Sequence, residues 1–341
     1  MGRASGLPWS ALALLGVALL TTSCGGGLGG VGVEQLRLGH GLDVSHPVHV
    51  AMEHLGDRLE TLSGGALTLR IYPSEQLGSE RECLELLQIG SLAMTKVSSS
   101  VLGGFAPDFK VLGTPYLFSS REHFFKTLDG DIGRRLLLSA ESKRLRGLTF
   151  YDAGSRSFYT RERPVASPAD LEGLKIRTQE SATAMAMVRA LGGAPTPISW
   201  GELYTALQQG VVDGAENNPP SFYLSRHYEV AKFYSLDEHT SVPDVLLIAT
   251  EVWNRLDDQQ RVWLEQAAAD SAQVQRRPWK EAEDEALAAV KEAGVEVLRP
   301  EKAPFQERTR QLQDAFRDQP ELFELVEQIR ALDTAGSEGA P

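Results

Sequence analysis

Cysteine is scarce in this chain, whose 341 residues include only Cys24 and Cys83. Cys24 falls in the N-terminal segment that we predict to be processed, so lipidation there would leave no partner for a disulfide bond. Cys83 lies in a helical pattern between charged and apolar residues. We therefore predict that Cys83 is a small buried apolar residue and not a nucleophile.

Catalytic motifs are also missing. The sequence has no Gly-x-Ser-x-Gly, His-Glu-x-x-His, Walker or Cys-x-x-Cys pattern. Residues 25–30 fit Gly-x-Gly-x-x-Gly, but they do not lie between a strand and a helix. His40, His46 and His49 cluster without the cysteines or carboxylates that would complete a metal site. We predict no catalytic residue, metal or cofactor, although the many Asp and Glu residues leave a catalytic carboxylate pair open.

Basic residues are too few to balance the acidic ones. The chain has 34 Lys and Arg against 46 Asp and Glu, which gives a net charge of -12. Such a surface repels nucleic acid and anionic lipid, so we predict neither as a partner. The same field repels an anionic ligand, which would need a local cationic pocket.

Long apolar runs are absent after the N-terminus. The run at residues 7–20 is too short to span a membrane and is typical of a secretory signal. We predict a signal peptide over residues 1–23 and a Gly-rich lipoprotein tether over 24–34. We predict lipidation of Cys24, with plain signal cleavage as the alternative because Thr21 stands where such signals usually have Leu. The mature chain is then periplasmic and reaches the membrane only through this lipid.

Strand and helix patterns alternate along the rest of the chain. Apolar residues alternate at 67–71 and recur at helical spacing over 52–62. Ser79 and Glu82 have the spacing of a capping box at the start of the next helix. This order predicts an α/β fold with a parallel-rich sheet and helices on both faces. A second unit of the same kind begins near Gly154.

Polar residues stand near predicted strand ends in three segments, where open α/β sheets bind ligands. Arg156 follows a strand end, and Arg177 lies in a strand over 175–178. A third strand, predicted over residues 211–213, leads to Asn217 ahead of two prolines. Because the planar guanidinium of Arg donates two parallel hydrogen bonds, it is suited to binding a carboxylate.

These segments resemble the solute-binding subunits of TRAP (tripartite ATP-independent periplasmic) transporters, the DctP family. The stretches that carry the resemblance are GHGL at 39–42, QLGSERE at 76–82, DLEGLKIR at 170–177, GELY at 201–204 and QQGVVDGAEN at 208–217. The resemblance extends in order over about residues 35 to 330.

The resemblance implies a two-lobed periplasmic binding protein fold, with hinge strands and a long helix spanning both lobes. The segments expected from it are lobe I at 35–153 and 243–282, lobe II at 154–242 and 283–330, and a flexible tail at 331–341. The lobes of such proteins close over a carboxylate-bearing solute by a hinge motion.

The same resemblance implies roles for three site residues. Arg177 matches the Arg of the family's carboxylate clamp, and Arg156 matches a second Arg near the lobe crossing. Asn217 matches the Asn that follows the Asp-Gly-x-Glu segment.

One branch of the family, which takes uronates such as glucuronate or galacturonate, is the most similar. The similarity lies in AGSRSFY at 153–159, MTK at 94–96 and EHT at 238–240. A polyhydroxy acid needs several polar partners, so the residues expected to contact its hydroxyls are Glu80, Lys96, Glu216 and His40. Each has a local alternative, because Glu80 can complement a helix dipole, Lys96 can be a surface charge, and Glu216 and His40 can brace loops.

Aromatic residues offer a further choice between ligand and core. Trp200, Tyr204 and Phe222 can flank a sugar ring or pack in the interior. We expect the protein to be a receptor that delivers a small organic acid to TRAP membrane permease subunits. The alternatives are a receptor for an aldonate, dicarboxylate or keto acid, and an extracytoplasmic enzyme acting on uronides.

Overall fold

The computed structural model describes residues 34–337, with the side chains of 34–312 and 314–333. The predicted signal peptide and Cys24 lie outside the described residues, as does all but the last residue of the predicted tether.

Strands and helices alternate through most of the described chain. The strands are β1 (Glu34–Gly39), β2 (Leu67–Tyr72), β3 (Met94–Ser98), β4 (Leu145–Tyr151), β5 (Arg156–Thr160), β6 (Lys175–Thr178), β7 (Ala194–Pro197), β8 (Gly214–Asn217), β9 (Phe233–Thr240), β10 (Asp244–Ala249) and β11 (Glu296–Leu298). The helices are α1 (Pro47–Ser63), α2 (Glu80–Gln88), α3 (Ser99–Leu102), α4 (Arg121–Asp129), α5 (Asp131–Ser139), α6 (Ala182–Ala190), α7 (Leu203–Gln208), α8 (Pro219–Leu224), α9 (Thr250–Arg255), α10 (Asp258–Glu292), α11 (Ala303–Gln313) and α12 (Pro320–Ser337).

Two mixed sheets organise the fold. The first has the order β2-β1-β3-β10-β4 and the second the order β11-β9-β5-β8-β6-β7. In the first sheet β1 is parallel to β2 and β3, whereas β10 is antiparallel to β3 and β4. In the second, β6 is parallel to β7 and β8, whereas β5 is antiparallel to β8 and β9. We call the parts built on these sheets the first half and the second half.

Each half has its own apolar core. The first core contains β1, β3, β10 and the inner face of α1, including Leu38, Met52 and Val245. In the second half, one cluster surrounds Phe222 and Tyr234 and another surrounds Phe158 and Ile176. Two cores agree with a chain of this length, because single cores stop growing at about 250–300 residues.

The long helix α10 connects the halves. Asp257 caps its N-terminus in a capping box with Gln260. Trp279 of α10 lies in the first core and Val290 in a second-half cluster. Gln275 binds both backbone groups of Asp152, accepting from its N–H at 2.9 Å and donating to its carbonyl at 2.8 Å. The helix therefore holds the backbone where the chain leaves the first sheet.

The two-lobed α/β architecture is confirmed, with one refinement and one correction. The sheets are mixed: five strand pairs are parallel, whereas β5 and β10, which lie beside the crossings between halves, run antiparallel to their neighbours. The strand predicted over 211–213 is wrong: the strand is Gly214–Asn217. Residues 211–213 form the turn after α7, where the Val211 N–H donates to the Ala206 carbonyl at 2.9 Å.

The exact lobe boundaries stay predictions. The chain changes sheet between Tyr151 and Arg156 and again between Thr240 and Asp244. The helix α10 continues without a break past residue 282. At the other end, α12 runs to Ser337, into the segment expected to be a flexible tail, and Lys126 donates to the Leu332 carbonyl at 2.8 Å.

Two smaller findings concern Cys83 and the membrane. Cys83 is 1% exposed in the first core, as predicted, and burial raises the pKa of its thiol to about 11. Within residues 34–337, no helix combines the length and the apolarity needed to cross a bilayer.

Gly133 in α5 should be intolerant of any side chain. A Cβ there would lie 1.8 Å from the Leu128 carbonyl oxygen, which belongs to the backbone and cannot simply rotate away. We expect Gly133→Ala to lower the free energy of unfolding in urea by about 1–3 kcal/mol or more. Gly56→Ala is the matched control, because its Cβ would make ordinary contact with Leu69 at 3.4 Å and should be neutral or stabilising. Equal stabilities of the two variants would contradict this packing.

Candidate functional site

A cavity lies between the two halves, at the carboxyl ends of four strands. Gly41 and Leu42 follow β1, Ser98 ends β3, Gln179 follows β6, and Asn217 ends β8. The space without protein atoms measures about 710 Å³, including the part that opens to solvent. This is the place where open α/β sheets bind ligands.

Arg177 lines this cavity without a counterion in the described protein. It is 3% exposed, and its Nε donates to the Ile198 carbonyl at 2.8 Å. Its Nη1 is buried and has no hydrogen-bond partner among the described residues. Burial lowers the pKa of Arg177 below its usual value, because water no longer solvates the charge. A buried cation with an unsatisfied donor is suited to binding an anion.

Arg156 also lines the cavity, but its guanidinium is largely occupied. Its Nη2 donates to the Glu216 carbonyl at 2.7 Å and to Glu216 Oε1 at 2.9 Å, and its Nε pairs with Glu216 Oε2. Its Nη1 donates to Asn217 Oδ1 at 2.9 Å. Burial alone would lower the pKa of Arg156, but Glu216 raises it. The binding of a ligand carboxylate by Arg156 stays a prediction. The second hydrogen of Nη1 is the donor that remains available for such a contact.

Asn217 and Glu216 occupy different positions relative to the cavity. Asn217 lines it, and because its Oδ1 accepts from Arg156 and from the Asn218 N–H, the Nδ2 group is the end that can donate to a ligand. Glu216 lies behind Arg156 and does not line this cavity. Arg156 and His239 bring the pKa of Glu216 to about 2, against the effect of burial. The expected contact of Glu216 with ligand hydroxyls therefore does not fit this arrangement.

Lys96 and Glu80 line the cavity as part of a buried charge cluster. Lys96 Nζ lies 3.1 Å from Glu80 Oε1 and 3.3 Å from Asp244 Oδ2. The Ser98 N–H also donates to Glu80 Oε1 at 3.1 Å. Burial alone would lower the pKa of Lys96, but Asp244 and Glu80 raise it. Lys96 is thus not an exposed surface charge, and Asp244 joins the site although its sequence context did not indicate it.

His40 does not line the cavity. Its Nδ1 accepts from the Leu42 N–H at 3.1 Å, and its Nε2 lies 2.9 Å from His49 Nδ1. Burial and Lys96 lower its pKa to about 2, so the ring is neutral. The geometry fits the alternative in which His40 braces its loop.

His46 lines the cavity in its place. It caps α1, and its Nε2 lies 3.2 Å from the Ser221 hydroxyl of the second half. The sequence signal that could have found it is its position directly before Pro47 at the start of a helix.

Trp200 borders the cavity, and the other two aromatic candidates do not. The Arg177 guanidinium lies 5.6 Å from the centre of the Trp200 ring. Phe222 is fully buried against Tyr159 and Tyr234. The Tyr204 hydroxyl donates to Glu229 at 2.9 Å, away from the cavity. In the described part of the chain, no group of three His, Cys, Asp or Glu side chains could hold a metal ion.

The model of the family of bacterial extracellular solute-binding proteins, family 7, matches residues 38–319 of the chain. The protein YiiZ of Salmonella typhimurium, described as uncharacterized, is 38% identical over 297 residues, which cover 86% of this chain and 90% of YiiZ. A TRAP periplasmic solute-binding protein from Bradyrhizobium sp. BTAi1, solved with D-galacturonate, is 39% identical with a TM-score of 0.86, covering 87% of this chain and 100% of that one. One from Roseobacter denitrificans, solved with β-D-glucuronate, is 37% identical with a TM-score of 0.85, covering 87% and 99%.

Two α/β halves around a cavity with an uncompensated buried cation define a solute-binding protein. The chain belongs to family 7 of the bacterial extracellular solute-binding proteins, the TRAP type. Because this family consists of binding proteins, the chain is not an enzyme, and the uronide-cleaving alternative falls away.

In the ligand-free protein, replacing each of the two buried arginines by Gln should have different effects on the free energy of unfolding. Arg156→Gln leaves Glu216 with only the more distant His239 as a cationic neighbour and should lower the free energy of unfolding by about 3–5 kcal/mol. Arg177→Gln removes a charge that has no counterion, so stability should stay unchanged or rise by about 1 kcal/mol. Urea unfolding of the ligand-free proteins measures both. A loss in Arg177→Gln as large as that in Arg156→Gln would contradict the assignment of Arg177 as unpaired.

His239, which contacts both Asp237 and Glu216, should make the free energy of unfolding depend on pH in the alkaline range. Its Nδ1 lies 2.8 Å from Asp237 and its Nε2 lies 3.4 Å from Glu216. Burial alone would lower the pKa of His239, but the two carboxylates raise it from 6.5 to about 9. Because the folded-state pKa is the higher one, this stabilisation is complete below pH 6.5 and is lost as the pH rises through 9.

The expected loss is about 3 kcal/mol at most, from the size of the pKa shift. Chemical unfolding between pH 6 and 9.5 measures it, and His239→Gln should remove this part of the pH dependence. His54→Gln, at a half-buried position of α1, is the control that should retain it. An identical slope in His239→Gln would show that another group titrates.

Proposed function

We propose that the protein captures a hexuronate, D-galacturonate or D-glucuronate, by its carboxylate and delivers it to TRAP membrane permease subunits. The observation that carries the proposal is the buried Arg177 Nη1, which has no partner among the described residues and borders the cavity. The uronates found in the Bradyrhizobium and Roseobacter proteins support the class of ligand.

The cavity also offers partners for a polyhydroxy ring. The polar side chains that line it include Glu80, Gln179, Asn217 and Asp244, which provide both donors and acceptors. The Trp200 ring supplies an apolar surface of the kind that sugar rings pack against. A hydrogen bond to a charged group contributes about 1.5–3 kcal/mol, so about four such contacts reach the 8 kcal/mol of a micromolar ligand.

Delivery requires export and a hinge, and both belong to the proposal. The signal peptide over residues 1–23 would send the chain to the periplasm, and a lipid on Cys24 would hold it at a membrane. The lobes would then close over the ligand about the crossings near 152–155 and 241–243. The closed form would present the ligand to the permease.

Wild-type protein should gain thermal stability with the right acid. We expect saturating D-galacturonate or D-glucuronate to raise the melting temperature, because a ligand at 100 times its Kd adds about 2.7 kcal/mol. D-Galactose and D-glucose, which lack the carboxylate, should produce no shift. Differential scanning fluorimetry with these sugars and with aldonates, dicarboxylates and keto acids measures the preference.

Two variants test the carboxylate contact. Arg177→Gln should lose at least 100-fold in uronate affinity by calorimetry while remaining folded, since the ligand then buries its charge without a cation. Arg134→Gln, which removes an exposed guanidinium outside the cavity, should bind as the wild type does. No shift with any uronate would refute the proposed ligand, and full affinity in Arg177→Gln would refute the proposed contact.

A further inference from the structure

The loop after β2 holds Glu75 in an unusual backbone conformation. Ser74 and Glu75 have φ angles of 52° and 57°, in the left-handed region that residues with side chains rarely adopt. The Ser74 N–H donates to the Leu42 carbonyl at 3.0 Å, and the Glu75 N–H donates to the His40 carbonyl at 3.0 Å. Residues held in such strained backbone conformations are often found at ligand-binding sites.

The Glu75 side chain reaches across the cavity from the first half to the second. It lines the cavity, and the backbone N–H of Gly201 in the second half interacts with its carboxylate. A Cβ at residue 201 would lie 2.3 Å from Glu75 Oε2, so the absence of a side chain at Gly201 makes this approach feasible. The other oxygen, Oε1, is buried and has no hydrogen-bond partner within residues 34–337.

Among the charged side chains that line the cavity and are not exposed to solvent, two are uncompensated. Lys96 pairs with Glu80 and Asp244, and Arg156 pairs with Glu216. Neither Arg177 nor Glu75 has an ion-pair partner in the described chain. Burial raises the pKa of Glu75, and the Glu80 carboxylate raises it further. The Gly201 N–H acts in the opposite direction and lowers this pKa. The site therefore has one cation that lacks an anion and one acceptor oxygen that lacks a donor.

We propose that Glu75 is a specificity-determining residue, which accepts a hydrogen bond from a ligand hydroxyl and repels a second carboxylate. The inference rests on the proposed function, because it concerns the same cavity. A monocarboxylate with hydroxyls satisfies both groups: its carboxylate pairs with Arg177, and a hydroxyl donates to Oε1. A dicarboxylate would place its second charge among Glu75, Glu80 and Asp244, where Lys96 already pairs with two carboxylates. Arg81, the other cation that lines this part of the cavity, is exposed and pairs with Glu85 at 3.2 Å.

The test compares D-galacturonate with galactarate, the diacid that shares its hydroxyl configuration. Calorimetry gives the ratio of the two Kd values for wild type, Glu75→Gln and Glu202→Gln. We expect wild type to favour galacturonate at least 100-fold, and Glu75→Gln to reduce this preference at least 10-fold by removing the repulsion. Glu202→Gln is the matched control, because Glu202 is an exposed carboxylate next to Gly201, and it should leave the ratio unchanged.

A second variant keeps the proposal testable if Glu75→Gln fails to fold. Glu75→Asp retains the charge but withdraws the oxygen, so galacturonate should bind about 10-fold more weakly while galactarate is still rejected. Two results would overturn the role of Glu75 and leave the proposed function intact. One is a ratio of Kd values in Glu75→Gln within threefold of the wild-type ratio, and the other is full galacturonate affinity in Glu75→Asp. A wild type that binds no uronate overturns the proposed function and this inference together.

Discussion

The site depends on an unequal distribution of counterions between two buried arginines. Arg156 has an internal carboxylate, Glu216, whereas Arg177 has only the Ile198 carbonyl and the face of Trp200. Removing a guanidinium from water without a carboxylate is unfavourable, and in the ligand-free protein this desolvation is not offset. We propose that a ligand carboxylate offsets it on binding. On this proposal the same residue is a weak point for stability and the main source of affinity.

The structure around Arg177 is arranged so that no side chain of the protein neutralises it. Arg156, Glu216, His239 and Asp237 form a row of alternating charges through β5, β8 and β9, in which each ion faces an opposite one. Asp237 also accepts from the Phe158 N–H at 3.2 Å, which ties the row to the sheet backbone. A buried network that is satisfied in this way is rigid and keeps its members from turning elsewhere. Glu216, the nearest carboxylate in this row, is thus unavailable to Arg177.

The sequence indicated the class of fold, the central cation and some, but not all, of the polar residues that share the cavity. Arg177, Lys96, Glu80, Arg156 and Asn217 line it, because strand ends and helix starts can be located from local patterns. Glu216 lies behind Arg156 and not at the cavity, because side chains alternate between the faces of a strand and adjacent residues of β8 point to opposite sides. His46 and Asp244 require the packing of the two halves, which no local pattern encodes. Glu75 depends on two left-handed residues and on contacts with residues 40–42, and a sequence window does not show either.

On the proposed function, closure of the cavity draws its free energy from the ligand. The contacts that cross it in the described chain include His46 with the Ser221 hydroxyl, Ser98 with Gln179 at 3.4 Å, and Glu75 with the Gly201 N–H. None of these three is an ion pair, whereas the strong charge pairs near the cavity, Lys96 with Glu80 and Arg156 with Glu216, lie within one half each. A ligand shifts a conformational equilibrium only by its difference in affinity for the two states. A ligand can contact Arg177 in the second half and Lys96, Glu80 and Asp244 in the first half at the same time only when the halves are together. Such a ligand would therefore bind the closed form more tightly and favour closure.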